Sequence, residues 1–159
     1  SAICVTLEGT RSLLVEVQAL TNITPFGYPK RSANGYDINR LQMLISVLQK
    51  YARINLSNQD VFVNVAGGIK LKDPSCDLGI LISIASSYLQ KTIDINSVFI
   101  GEVGLSGEIR SVNQIKKRVK EAEKLGFTKI FIPSSKETIS SKSEIIEMKN
   151  IMEILKMFK

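Results

Sequence analysis

The chain has 159 residues, 44% of them hydrophobic, enough for one ordinary domain with a sizeable core. Its net charge of +6 fits a polyanionic partner, while no apolar run is long enough to span a bilayer and no signal-peptide pattern opens the chain. Two cysteines, Cys4 and Cys76, and no histidine leave no disulfide framework and no zinc site, which suits a reducing, cytoplasmic setting.

In chain order, residues 2–7 alternate and are rich in Ile, Val and Thr, so they read as a strand. Glu8-Gly9-Thr10 reads as a tight turn and residues 11–20 as the returning strand. Pro25, Gly27, Pro29 and Gly35 make residues 21–35 a loop, and it carries Lys30 and Arg31 beside Tyr28. Such a basic pair can contact phosphates or simply be solvated. Asn34 or Asp37 caps a helix over 38–51, with Ile38, Leu41, Leu44, Ile45 and Leu48 as its buried stripe. Residues 60–66 form a β-branched strand ended by Gly67-Gly68, and 69–72 an edge strand or arm carrying Lys70 and Lys72.

Asp73-Pro74-Ser75 is a strong helix start: Asp as cap, Pro at the first helical position. The helix runs from Ser75 to about Gln90 and is apolar nearly all round, so it is the buried centre of the domain, with Ser75 at its exposed positive end. Next come a strand at 98–100, glycine turns at Gly101, Gly104 and Gly107, and a short return strand at 108–110. Asn113 is placed to cap a helix whose apolar face is Ile115, Val119, Ala122 and Leu125, with Gly126 as its C-cap glycine. Residues 129–132 read as a buried strand and 134–143 as an exposed serine-rich loop. A last strand at 144–148 precedes a helix capped by Asn150, with Ile151, Ile154, Leu155 and Phe158 facing in. There is no P-loop, no dinucleotide fingerprint and no base-stacking platform of aromatics.

The strand–turn–helix at 101–118, GEVGLSGEIRSVNQIKKR, resembles the unit that delivers the catalytic lysine in Lon-type protease domains. Together with YDINRLQMLISVLQK and DVFVNVAGGIKL it resembles more closely the C-terminal domain of the RadA (Sms) family of bacterial DNA-repair proteins. The resemblance implies an α/β (α+β) fold of the Lon protease-like, ribosomal protein S5 domain 2-like kind: a mixed sheet with packed helices. The whole of 1–159 would be one such domain, cut from a longer protein, as a start at Ser1 without an initiator Met also suggests.

In the Lon pattern Ser75 aligns with the nucleophile and Lys116 with the general base; a desolvated, neutral lysine could take the serine proton during attack on an amide. Here Cys76-Asp77 stands where the Lon pattern has Ala-Gly, and a carboxylate beside a developing oxyanion has the wrong sign. RadA-type domains share this serine-x-Asp-Leu arrangement and are regarded as lacking protease activity. The expectation is therefore a vestigial Ser75–Lys116 pair, with an active Ser-Lys peptidase as the alternative. The family further implies a ring-shaped, hexameric motor for DNA recombination and branch migration. Its ATP, Mg and Zn would be bound by an ATPase domain and a zinc finger outside this chain, leaving no cofactor or metal here. DNA-binding candidates are Lys30, Arg31, Lys70 and Lys72, and interface candidates Phe26 and Tyr28, since loops expose little apolar surface without a partner.

Overall fold

The computed structural model describes residues 1–25 and 27–158. Strands β1 (Ala2–Glu8) and β2 (Arg11–Ile23) form the first antiparallel hairpin, in register from Ala2 opposite Val17 to Glu8 opposite Arg11. β2 runs past its expected end at residue 20. Its second half pairs with β4 (Gln59–Val65), Ile23 lying opposite Gln59, so a distant partner sets its length.

The sequence reading of 21–35 as all loop needs correction, because β3 (Arg31–Asn34) lies inside it, parallel to β4. Asp60 closes the connection: its Oδ1 accepts from the Lys30 N–H at 2.7 Å and the Thr24 hydroxyl at 2.9 Å. These donors outweigh what little desolvation it suffers and hold its carboxyl below the usual range. Gly35 then turns the chain at φ +85°, where a Cβ would run into the Ile69 carbonyl oxygen and stand 2.8 Å from Val65 Cβ. The strand expected at 69–72 does not form; one bond, from the Leu71 N–H to the Gly35 carbonyl at 2.7 Å, holds that extended segment.

Helix α1 (Ile38–Tyr51) has the expected bounds, capped by Asp37, whose carboxylate accepts from the Asn39 N–H. A 3-10 turn over Pro74–Cys76 leads into α2 (Asp77–Leu89), and every residue from Asp77 to Ala85 is buried. β5 (Ser97–Phe99) and β8 (Lys129–Pro133) add to the sheet in parallel, followed by β9 (Glu144–Met148). The seven-stranded mixed sheet has the order β3-β4-β2-β1-β5-β8-β9, and a separate ribbon pairs β6 (Glu102–Val103) with β7 (Ile109–Arg110). α4 (Ile151–Leu155) is capped by Asn150 as expected.

Strand alternation divides the core in two. Cys4, Val15 and Val17 with stacked Phe99 and Phe131 face α1, α2 and α4. Val5, Val98, Ile100, Ile130 and Ile132 face Val119 and Ala122 of α3 (Ile115–Lys124) on the opposite side. The sheet is thus sandwiched between helices. The α3 stripe differs from expectation at its end, where Leu125 is exposed, and at its start, where Asn113 does not act as cap.

Candidate functional site

The glycine-rich stretch wraps the start of α2. The Gly101 N–H donates to the Ser75 carbonyl at 2.9 Å, and the Leu78 N–H to the Gly101 carbonyl at 3.1 Å. Gly107 and Ile109 are stitched to Ile151 and Lys149, so α2, the β6–β7 ribbon and the C-terminal segment are held as a unit. Asp73 is the cap, its Oδ1 accepting the Ser75 N–H at 3.0 Å. Ser75 is neither the cap nor exposed: it is fully buried, and its hydroxyl donates to the Val5 carbonyl at 3.1 Å.

The side chain facing Ser75 is Arg118, which is also fully buried. Its NH1 donates to Ser75 Oγ at 2.6 Å, to Asp73 Oδ2 at 2.6 Å and to the Val5 carbonyl at 2.9 Å. Nε and NH2 donate to the carbonyl and side-chain oxygens of Asn113 at 2.8 and 2.5 Å. That engagement is why Asn113 cannot cap α3. Asp73 Oδ2 also accepts the Leu7 N–H at 3.2 Å. Burial pushes the Asp73 carboxyl up, but the Arg118 hydrogen bond, the Ser75 N–H and the guanidinium charge outweigh it and leave it below the usual range.

Lys116 lies elsewhere. It stands two positions before Arg118, about 200° around a helix of ~3.6 residues per turn, so the helix that turns Arg118 inward turns Lys116 out. Its side chain is 69% exposed, with Nζ 3.8 Å from Glu137 Oε2. The structure does not bring the expected Ser75–Lys116 pair together.

Asp77, the buried first residue of α2, belongs to a second polar network. Its Oδ1 accepts from the Tyr36 hydroxyl at 2.7 Å and from Arg40 Nε at 3.0 Å; Oδ2 accepts from Arg40 NH2 and from the Val103 N–H at 3.2 Å. Burial, then the Asp77 charge, push the Tyr36 phenol far up; the hydrogen bond to Asp77 raises Arg40. The carboxylate is therefore fully engaged in the interior, aimed at Arg40 rather than toward the Ser75 hydroxyl.

Of the basic candidates, Lys70 and Lys72 come together along a cleft of about 350 Å³ shared with Thr6, Leu7, Glu8 and Gly9. Lys30 is exposed but sits beyond the other end of β3, some 16 Å away at ~3.3 Å per residue. Arg31 is tied down, its guanidinium donating to the Gln59 and Leu56 carbonyls at 3.3 and 2.5 Å. Tyr28 is 93% exposed, and Phe26 lies outside the described residues.

Sequence reasoning missed Arg118, Arg40 and Tyr36. For Arg118 a signal existed: it occupies the i+3 place of the Ile115/Val119/Ala122 stripe, and a charge on an apolar stripe requires a buried partner. It also missed the exposed row Lys116, Lys120 and Lys124, spaced one helical turn apart along α3.

The sequence model of the family described as subunit ChlI of Mg-chelatase matches residues 17–136. Three proteins called DNA repair protein RadA align over 98% of this chain. That of Streptococcus pneumoniae is 46% identical, that of Halalkalibacterium halodurans 46% and that of Bacillus subtilis 47%. The chain spans 38%, 35% and 35% of their respective lengths. Among the described residues no helix is long and apolar enough to cross a membrane.

Proposed function

Because the chain belongs to the family described as subunit ChlI of Mg-chelatase, and within it is a segment of RadA type, we propose that it is the non-proteolytic Lon-like domain of a DNA-repair protein that offers DNA a basic surface and helps to assemble a ring. The observation that carries the DNA reading is the Asp73–Arg118 pair. It draws the Lys70–Lys72 segment against the start of α3, whose exposed row continues through Lys116, Lys120 and Lys124. Glu123 on that helix shares a cleft with Lys116 and Lys120, its Oε2 accepting from the Ser141 hydroxyl at 2.6 Å and the Lys142 N–H at 3.2 Å.

Absence of peptidase activity is supported by the Ser75 hydroxyl, which is closed off from solvent and held between Val5 and Arg118. The work of the whole protein, recombination and branch migration by a cytoplasmic hexameric ring, we assign to an ATPase and a zinc finger that bind the ATP, Mg and Zn outside this chain. The ring reading is supported here by Tyr28 and Ile23, exposed by 93% and 70%.

The test is duplex-DNA affinity as a function of salt. Sequence-independent binding is expected, falling linearly in log–log form. Lys70→Ala/Lys72→Ala lowers the slope by about two, at ~0.9 per phosphate contact. Lys30→Ala/Arg31→Ala lowers it by about one, since Arg31 is already engaged. An unchanged slope in both variants and in Lys116→Ala/Lys120→Ala overturns the assignment.

A further inference from the structure

Two thiols that neither polar network uses face each other across the sheet–helix boundary. Cys4 on β1 and Cys76 just before α2, 72 residues apart, have their Sγ atoms 2.7 Å from one another, both wholly buried. Both cysteines are free, and since a disulfide bond is about 2.05 Å long their sulfurs stand less than 1 Å beyond bonding distance. The approach is too close to bracket a metal ion: at ~2.3 Å per zinc–sulfur bond, tetrahedral ligand sulfurs stand well beyond this separation. Val17 and Gly79, which close around Cys4, offer no further ligand.

We propose that Cys4 and Cys76 are a site of reversible oxidation, closing to a disulfide with a peroxide as oxidant. One thiolate attacks a peroxide oxygen, giving a sulfenic acid and hydroxide. The second thiol then displaces the sulfenic hydroxyl, which leaves as water with that thiol's proton, while the proton lost by the first thiol turns the hydroxide into the second water. Two thiols and one hydrogen peroxide thus become one disulfide and two waters, and a thiol reductant reverses the change. Burial, then the contact with Cys76, push the Cys4 thiol well up. Reaction therefore proceeds through molecules transiently opened at this boundary, where a thiolate can form. The bond staples β1 to the turn between Ser75 and Asp77, locking the central helix to the sheet at the junction of both networks.

The native chain is incubated with hydrogen peroxide, quenched with a maleimide in denaturant and mapped as peptides. The expected result is a Cys4 peptide linked to a Cys76 peptide within one chain, no maleimide on either thiol, and a Tm raised by roughly 5–15 °C that returns on reduction. Cys76→Ala, treated alike, is expected to give no link and no reversible rise in Tm. Maleimide on both thiols of the parent, terminal oxidation to sulfinic acid without a link, or links only between chains would each overturn the proposal.

Discussion

Replacing Arg118 with Met preserves most of the volume of a buried side chain and deletes its charge. Five hydrogen bonds disappear with it, and Asp73, whose side chain is only 15% exposed, keeps a carboxylate that has lost its counter-ion. Breaking a buried pair from one side costs about 3–5 kcal/mol, because the remaining charge stays desolvated. At ~2–4 °C per kcal/mol for a chain of this size, Tm should fall by roughly 6–20 °C. The loss should depend on pH with a definite sign. The folded pKa of Asp73 is depressed, so its stabilising contribution is present above the unfolded value near ~3.9 and lost as pH falls through the folded value. The gap between parent and Met variant is accordingly widest near neutrality and narrows in acid. Urea unfolding of both proteins across pH, with Asp73→Asn/Arg118→Met to complete the cycle, measures this. A neutral-pH loss below about 1 kcal/mol, or a gap that widens in acid, would refute the reasoning.

Arg40→Met should destabilise the fold by a comparable few kcal/mol, since Asp77 is fully buried and Arg40 is the cation beside it; chemical denaturation gives the number. Gly35→Ala should cost about 2 kcal/mol or more, combining a strained positive φ with collision against the Ile69 carbonyl, whereas Gly126→Ala, with open space around its Cβ, should cost about 1; thermal melts rank the two. Sedimentation should detect a ring for the parent at high concentration and smaller species for Tyr28→Ser. A monomeric parent, or an unchanged ring in the variant, removes that loop from the interface.

Local chemistry made much of the fold legible. The helix at Ile38–Tyr51 is written in an apolar stripe and an Asp cap, and the first strand of the hairpin in its run of Ile, Val and Thr. β3 was invisible because Arg31–Asn34 has no apolar period; its place is fixed by β4 and by Asp60, nearly thirty residues away. At the site, Asp73-Pro74 announced the helix start, but a serine there reads equally as cap, nucleophile or buried partner. Only tertiary packing decides, and it presents to Ser75 the arginine two places beyond the aligned lysine. The same holds for Asp77, whose partners Tyr36 and Arg40 arrive from another element and leave no mark in its own surroundings.

Labelling by a fluorophosphonate probe tests most directly whether Ser75 is a structural hydroxyl. The parent chain, native and across pH 6–9 or thereabouts, should take up no label at Ser75, as expected for a hydroxyl closed off from solvent and bonded to Val5 and Arg118. Stoichiometric labelling that disappears in Ser75→Ala and weakens in Lys116→Ala would contradict the account and restore a working Ser-Lys peptidase.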